Sequence, residues 1–444
     1  MSLNSLTKLL ALLLLPLLFS AVSCNKPTEP HTGNLTITVE DASCTEVWLA
    51  VNTGNLSLPN NFVLYENNTR KKDITLTQGE TVIVIENLLP KQNYSYKLMN
   101  SDNVSNETLA ITLDTTSHNF TWETFEFGEY GNSVLYDVAI IDENNIWAVG
   151  EIYMNDSLGN PDHNAYNAVH WDGQSWELKR IKTNACGGVD YPPVKAIFAF
   201  SSSDILFAHI DGSISNYNGI KFTNDCSLIT QLNGSANKIW GKSNSDFYVV
   251  SGNGFIAHWN GSSWKKIESG TNVDLLDVWG TPDGSIVWVS GNNLNKTVLI
   301  KIENSKATIV FESHYPWQVR KGRISGGISS IWTDSKNFIY ATTHITVYRC
   351  LSNTNGDGKE IYPYEDYLKG GTVRIRGTAA NDIVTCGSNG SILHYNGYRW
   401  QIEHLTDAST YLWSSTVKEG VVVAVGDRYE GIFDYRAVII VGKK

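Results

Sequence analysis

KIWGKSNSDFYVVSGNGFIAHWNGSSW, residues 238–264, is the stretch of sequence that decides the fold. Three short apolar runs, KIWG, DFYVVS and FIAHW, are rich in β-branched and aromatic residues and are separated by polar residues and glycine, which is typical of consecutive β-strands. The pair Asn260-Gly261 predicts a tight hairpin turn, because such turns need residues that accept positive φ. The stretch therefore predicts three antiparallel strands and a turn into a fourth that begins at Trp264.

The pattern recurs along the rest of the chain. Copies of the second strand follow one another about 46 residues apart on average, which is the period of a four-stranded repeat. The copies are NIWAVG (145–150), DILFAH (204–209), DFYVVS (246–251), SIVWVS (285–290), NFIYAT (337–342), DIVTCG (382–387) and VVVAVG (421–426). The hairpin recurs as HWDGQSW (170–176), HWNGSSW (258–264), HYNGYRW (394–400) and, more weakly, NYNGIKF (216–222).

Seven four-stranded units in a row resemble the blades of a β-propeller, and the sequence is similar to divergent propellers of exported bacterial proteins. The resemblance covers residues 118–444 and implies an all-β, seven-bladed ring. The run AVIIV (437–441) has no further strand after it, whereas FTWETFE (120–126) parallels SWELK (175–179). We therefore expect the strand near residue 120 to complete the last blade and remove its open edge.

Residues 34–117 contain short segments of alternating apolar and polar residues, which predict an antiparallel sandwich. The stretch LLPKQNYSY (88–96) resembles the fibronectin type III signature, in which Leu-x-Pro precedes a tyrosine. Val51 stands where that family usually has a tryptophan. The resemblance implies a small spacer or adhesion domain before the propeller.

The amino terminus is a targeting signal. An apolar run from Leu9 to Phe19 is too short to span a membrane and fits a signal peptide. AVSC (21–24) resembles a bacterial lipobox, with Ala21 where leucine is commonest, and this implies lipidation of Cys24 after removal of residues 1–23. The alternative is an ordinary signal peptide with an incidental cysteine. Residues 24–33 are polar and proline-rich, as a tether requires. The expected location is the bacterial cell envelope, with membrane contact through the lipid alone.

Charge and cysteine content narrow the classes of partner and site. With 45 acidic against 34 basic residues the net charge is −11, which argues against nucleic-acid binding. The other cysteines form no CxxC pair and no zinc spacing, so no metal or other cofactor is expected. Cys186 and Cys226 flank one repeat and are the favoured disulfide in an oxidising compartment. The alternative is that all five are small buried residues.

Candidate catalytic and metal-binding motifs have structural explanations. His170, His258 and His394 occupy the same position of their repeats, so we expect them to be spread around the ring. NTNGDG (353–358) begins like a calcium loop, but Tyr364 stands where the bidentate acid is needed. No GxSxG, GxxxxGK or HExxH motif occurs, and no catalytic residue is assigned. A binding protein is therefore expected rather than an enzyme. The alternative is a carbohydrate-active enzyme, glycosidase- or lyase-like, that uses the propeller face.

Four long connections carry the best indication of a binding site. They span 151–167, 182–193, 314–326 and 365–371, and a four-stranded meander brings all four to the same face. Loops on a rigid scaffold commonly bind ligands, and Trp, Tyr and Arg commonly anchor interfaces. Tolerated insertion at the rim is the alternative. The expected ligand is a protein or a polysaccharide, and the candidate ligand-binding residues are Trp317, Tyr191, Tyr367, Arg320, Tyr315, Asp190 and His163.

The lipobox resemblance makes a direct prediction. A Cys24→Ser variant lacks the sulfur that would carry the lipid, so it should leave the membrane fraction and appear in the soluble exported fraction. Detergent-phase partitioning of the wild type and the variant measures this. Equal partitioning of the two proteins would contradict lipidation at Cys24.

Overall fold

The computed structural model describes residues 35–183, 186–232, 235–314, 322–362 and 371–444. The elements named below are all β-strands. None of the described residues forms a helix with the length and hydropathy of a membrane span.

The amino-terminal part of the described chain forms two sheets. In sheet order, their strands are β1 (Thr36–Ala42), β2 (Val47–Asn52) and β5 (Glu80–Ile85) in the first, and β4 (Thr69–Leu76), β3 (Asn60–Glu66), β6 (Asn93–Met99) and β7 (Thr108–Ile111) in the second. Apolar residues alternate with exposed ones along these strands, as in β3, where Phe62 and Leu64 are buried. The period of two gives each sheet one apolar face.

The chain from residue 121 onward forms seven four-stranded antiparallel sheets, which we number 1 to 7. Sheet 1 contains β9 (Val134–Asp142), β10 (Asn145–Ile152), β11 (Tyr166–Trp171) and β12 (Trp176–Lys179); sheet 2 contains β13 (Val194–Ser201), β14 (Asp204–His209), β15 (Ile214–Tyr217) and β16 (Phe222–Asp225). Sheet 3 contains β17 (Ala236–Ser243), β18 (Asp246–Ser251), β19 (Phe255–Trp259) and β20 (Trp264–Glu268); sheet 4 contains β21 (Leu275–Gly280), β22 (Val287–Asn292), β23 (Lys296–Glu303) and β24 (Lys306–His314); sheet 5 contains β25 (Ile328–Trp332), β26 (Phe338–Thr343), β27 (Val347–Leu351) and β28 (Lys359–Tyr362). Sheet 6 contains β29 (Arg374–Ala379), β30 (Asp382–Cys386), β31 (Ile392–Tyr395) and β32 (Trp400–His404); sheet 7 contains β33 (Thr410–Lys418), β34 (Val421–Gly431), β35 (Asp434–Lys443) and β8 (Thr121–Phe127).

The fourth strand of sheet 7 comes from the start of this region, as the sequence predicts. Strand β8 pairs antiparallel with β35, with Phe125 opposite Ile439. The edge of β35 is therefore covered by a strand that lies more than 300 residues earlier in the chain.

The cores of this region lie between consecutive sheets. Ile205 and Phe207 of β14 pack in a buried cluster with sheet 1, whereas Leu206 and Ala208 of the same strand pack with sheet 3. Successive side chains of a strand point to opposite faces, so a strand buried on both faces must be apolar throughout. This explains the mostly apolar second strands that mark each repeat, in which a buried polar residue such as His209 has a hydrogen-bond partner. A further cluster joins sheet 7 to sheet 1, and the arrangement is that of a β-propeller-like all-β fold.

The first strands of the sheets contact one another in order, and β33 contacts β9. Two buried aspartates link these strands. Asp137 of β9 accepts hydrogen bonds from the backbone N–H of Ile197 at 3.0 Å, from Lys238 Nζ at 2.5 Å and from the Ser414 hydroxyl at 2.8 Å. These partners belong to sheets 2, 3 and 7, so one carboxylate ties together four sheets.

Asp277 of β21 does the same for the remaining sheets. Its carboxylate accepts from the Ser330 hydroxyl at 2.5 Å and the Ile331 N–H at 3.0 Å, and pairs with Arg376 at 2.7 Å and Arg374 at 3.1 Å. Burial alone would raise the pKa of Asp277, but the two guanidinium groups lower it well below the usual aspartate range. The carboxylate is therefore ionised although it is fully buried.

The hairpin turns differ from the predicted two-residue type. Trp259 pairs with Trp264, so four residues close the turn, and of the Asn-Gly pair Gly261 has positive φ, at 89°. The Asn260 side chain accepts from the backbone N–H groups of Ser262 and Ser263. Asparagine therefore serves this turn through its side-chain acceptor rather than through its backbone conformation.

The described residues divide into two compact units, one with 35–40, 49–83 and 94–110 and the other with 41–48, 84–93 and 111–444. Within the second unit, Glu46 pairs with Arg349 and Lys359. The division of the chain at residue 117 stays a prediction.

Replacement of Asp277 tests the buried network. An Asp277→Ala variant leaves Arg374 and Arg376 without their buried counter-charge, so unfolding free energy should fall by about 3–5 kcal/mol. Urea denaturation measures this. The control is Asp434→Ala, which removes a half-exposed carboxylate paired with Arg436 and should leave the midpoint nearly unchanged. Folding lowers the pKa of Asp277, so its ionised carboxylate stabilises the folded protein fully above the unfolded-state pKa near 4. This stabilisation is lost as the pH falls from there through the folded-state pKa. Equal midpoints for the two variants would contradict the role of Asp277.

Candidate functional site

The long connections that the structure describes lie at one edge of the sheets, which we call the long-loop face. It is the edge at which the first and third strands begin and the second and fourth strands end. The connection between β10 and β11 and the connection between β12 and β13 are described there, apart from residues 184 and 185. Four of the sequence-predicted candidates, Tyr315, Trp317, Arg320 and Tyr367, lie outside the described residues.

Arg180, which follows β12, organises the first part of this face. Its guanidinium donates to Asp162 Oδ2 at 2.5 Å and to the carbonyl of Asn164 at 2.6 Å. The same group lies 3.9 Å from the ring centroid of Tyr166 and 5.9 Å from that of Tyr191. One cation is thus held by a carboxylate and by two aromatic rings, an arrangement that fixes all four side chains.

Two of the predicted candidates, Asp190 and Tyr191, join this group. Asp190 is exposed and pairs with Lys182 at 3.3 Å, and Lys182 Nζ lies 5.9 Å from the ring centroid of Tyr191. A third candidate, His163, is exposed and follows Asp162. A backbone hydrogen bond from Asn164, together with Arg180, lowers the pKa of Asp162. The predicted residues therefore surround a cation that the sequence analysis did not single out.

The connection that carries Asp190 and Tyr191 is fixed at both ends. The fully buried side chain of Asn167 donates to the carbonyls of Ile181 and Pro192, at 3.0 and 2.9 Å. Cys186 and Cys226 form a disulfide that links this connection to the end of sheet 2. The loop thus presents its side chains from a fixed backbone, which reduces the entropy cost of binding.

A second group lies where the first strands of sheets 1 and 2 begin. Tyr136 and Tyr153 donate to the two carboxylate oxygens of Glu151, at 2.6 and 2.8 Å. Lys195 Nζ lies 3.3 Å from the ring centroid of Tyr136. Burial, together with Glu151, raises the pKa of Tyr153 to about 12, so its hydroxyl stays protonated and donates. Tyr130 connects the two groups, since it donates to the carbonyl of Asp162 at 2.6 Å.

Sheet 7 contributes an exposed aromatic residue to the same face. Trp413, near the start of β33, is 40 % exposed, and its indole N–H donates to Asp427. Burial and Glu151 raise the pKa of Tyr136 most, and the Asp427 carboxylate adds to this effect. The long-loop face therefore carries tyrosine, tryptophan, lysine and arginine side chains from sheets 7, 1 and 2.

Sequence reasoning missed Arg180, Tyr136, Lys195 and Trp413 because they belong to strands or adjoin them. Strand residues were interpreted as packing residues. The sequence does carry a signal for two of these residues. Tyr136 and Lys195 lie near the start of first strands, and each follows a fully buried apolar residue, Leu135 and Val194 respectively. A polar residue at that position points out of the core, towards the long-loop face.

The opposite edge holds a cavity of about 190 Å³ near the buried carboxylates. Lys238 and Arg376 line it, and both are already paired with Asp137 and Asp277. Ion pairs keep the pKa of both carboxylates low, so neither can act as the protonated general acid that a glycosidase requires.

The repeated histidines take structural positions. His170, His258 and His394 each place Nε2 within 3.0 Å of a side-chain oxygen at the start of the second strand of the same sheet, namely Asn145, Asp246 and Asp382. The three side chains are thus separate, as the sequence predicts.

Comparison with solved structures finds similarity to YCF48 bound to D1 peptide, with a TM-score of 0.53 and 12 % sequence identity over 73 % of this chain and 95 % of that one. YCF48 from Cyanidioschyzon merolae is also similar, with a TM-score of 0.49 and 13 % identity over 72 % of this chain and 98 % of that one. No family model and no curated protein sequence matches the chain. At this identity the first likeness shows the fold alone and agrees with a β-propeller-like all-β fold.

Cysteine chemistry tests the site's framework. Burial raises the pKa values of Cys44 and Cys386 to about 11 and that of Cys350 to about 12. Because the thiolate is the reactive form, iodoacetamide at pH 8 should leave these three unlabelled in the native protein and label them in urea. Cys186 and Cys226 should be labelled only after a reductant has broken their disulfide. Peptide mapping by mass spectrometry reads each position. Native labelling of Cys350 would contradict its burial, and labelling of Cys226 without reductant would contradict the disulfide.

Proposed function

We propose that the protein is an exported, lipid-anchored envelope protein that binds a protein partner on its long-loop face. In this proposal residues 1–23 are the signal peptide, Cys24 carries the lipid and residues 24–33 are the tether. Residues 34–117 are a fibronectin type III-like spacer, and residues 118–444 are a seven-bladed propeller that presents the binding face.

The observation that carries the binding role is the fixed cation Arg180 on the long-loop face. Arg180 is held between Tyr166 and Tyr191, and the loop that carries Tyr191 is itself fixed by Asn167. Tyr, Trp and Arg are the residue types that dominate binding energy at interfaces. Because these side chains already have their positions, a partner would lose little free energy in ordering them.

The kind of partner is supported by the fold comparison. The similar YCF48 structure contains a bound peptide, so a protein of this fold can hold one. We therefore favour a protein partner for this chain over a polysaccharide.

The blade count and the spacer have their own support. Seven sheets with contacts from β9 through to β33 and back are what a closed seven-bladed ring requires. Sheets of three and four antiparallel strands before residue 112 are compatible with a fibronectin type III-like sandwich.

Site-specific photocrosslinking in the native envelope tests the binding face. A photoreactive amino acid at Trp413 or Tyr191 should capture the same protein. The matched control is Tyr398, an exposed aromatic residue in a hairpin turn at the opposite edge of sheet 6, which should capture none. With the captured partner purified, Arg180→Ala and Tyr191→Ala should weaken binding at least about tenfold, with an unchanged unfolding midpoint, as hot-spot residues do.

Three results would contradict the proposal. Equal capture from Tyr398 would place binding elsewhere. Unchanged affinity of both alanine variants would exclude the Arg180 group as the anchor. Binding to a glycan array without any protein adduct from the two positions would favour a polysaccharide ligand.

A further inference from the structure

A cluster of two histidines and a glutamate lies away from the long-loop face residues described above. His118 belongs to the segment that leads into β8, His394 lies on β31 and Glu403 lies on β32 of sheet 6. Their side chains are 9 %, 0 % and 5 % exposed. The cluster therefore joins the segment before the closing strand to sheet 6, out of contact with bulk solvent.

The three side chains bring their coordinating atoms together. His118 Nδ1 lies 2.9 Å from His394 Nδ1 and 2.8 Å from Glu403 Oε1. All three atoms lie within 4.8 Å of one another. Ligand atoms bound to one tetrahedral zinc ion at about 2.0–2.2 Å would lie about 3.3–3.6 Å apart, so the side chains would need to separate by only about half an ångström to admit the ion.

The protonation state of His394 follows from its other nitrogen. Its Nε2 lies 2.9 Å from Asp382 Oδ1, and Asp382 also accepts from Thr378 and Lys444. Because Asp382 receives hydrogen bonds from a hydroxyl and from an ammonium group, its carboxylate acts as the acceptor in this cluster. His394 must therefore carry its proton on Nε2, and Nδ1 presents a lone pair towards His118.

One hydrogen on the His118 imidazole cannot provide hydrogen bonds for all the buried polar atoms of this cluster. If His118 carries hydrogen on Nδ1, one N–H must serve both His394 Nδ1 and Glu403 Oε1, and the buried Nε2 of His118 has no hydrogen-bond partner. If the hydrogen is on Nε2 instead, the lone pairs of the two Nδ1 atoms face each other at 2.9 Å, whichever form Glu403 takes. Glu403 Oε1 likewise lacks a hydrogen bond of good geometry. Buried polar atoms without partners are costly, and a cation shared by all three removes the conflict.

We propose that His118, His394 and Glu403 bind one divalent transition-metal ion, with Zn²⁺ as the representative case. Two imidazole nitrogens and one carboxylate oxygen form a ligand set that zinc and its neighbours prefer, whereas Mg²⁺ and Ca²⁺ prefer oxygen alone. Asp382 takes the position of the outer carboxylate that commonly orients a metal-binding histidine.

The charges that face the cluster are mixed. Lys444 and Arg399 lie near His118, and Lys444 is paired with Asp382. Since the ligands are almost inaccessible, the ion would have a structural role and would hold the segment before β8 against sheet 6.

Metal titration of the full chain without a polyhistidine tag tests the site. After treatment with a chelator, the protein should bind one Zn²⁺ per chain by calorimetry at pH 8 and give the absorption spectrum of a four- or five-coordinate site with Co²⁺. Mg²⁺ and Ca²⁺ should not compete. His118→Ala and Glu403→Gln should each weaken Zn²⁺ binding at least tenfold, and Asp382→Asn should weaken it about 10–100-fold as an outer partner.

The matched control is His258→Ala, because His258 has the same position on the third strand of sheet 3 and the same kind of aspartate partner. It should leave Zn²⁺ affinity unchanged. Glu403→Gln keeps the size of the side chain, so a folded Glu403→Gln variant decides the matter if His118→Ala unfolds. Absence of one-to-one Zn²⁺ binding by the wild type, or equal binding by wild type and Glu403→Gln, would overturn the proposal and leave a shared proton as the explanation.

Discussion

Two buried carboxylates hold the first strands of the seven sheets together. Asp137 binds partners from sheets 2, 3 and 7, and Asp277 binds partners from sheets 5 and 6. The seven first strands are thus linked through two points of negative charge. Each aspartate loses its hydration when it is buried. The fold is stable only if the lysine, the arginines, the hydroxyls and the backbone N–H groups together replace the lost hydrogen bonds to water. No single sheet can supply these partners, so the network makes the sheets depend on one another.

The repeat pattern predicts the strands well because both faces of each second strand are buried. NIWAVG and DILFAH are recognisable since most of their residues are apolar on both faces, and the closing strand β8 is recognisable because Trp122-Glu123 matches Trp176-Glu177. The partners of Asp137 and Asp277 are not predictable in this way. Their contacts join strands that are 50 to 280 residues apart, and an aspartate in an apolar strand gives no indication of which cation it will meet.

The candidate site shows the same limit. Asp190 and Tyr191 were identifiable because a long loop interrupts the repeat, and long loops on a scaffold commonly bind ligands. Arg180 was not, because it adjoins a strand and its role depends on Tyr166 and Asp162 from another connection. His118 escapes the repeat analysis altogether, since it precedes the first repeat and meets its partners only when β8 joins the last sheet. Contacts that depend on closure leave no local pattern in the sequence.

Closure by β8 also affects both the long-loop face and the buried cluster. The strand satisfies the open edge of β35 without a covalent link, so the segment before β8 must be positioned by side chains. His118 and Thr116 do this through sheet 6, where Thr116 donates to the carbonyl of Asn381 at 2.5 Å. The connection between β10 and β11, which forms part of the long-loop face, contacts the chain just after β8, where the Asn155 N–H donates to the Glu129 carboxylate at 2.7 Å. The segment after β8 therefore supports the long-loop face, whereas the segment before β8 carries His118 of the buried cluster.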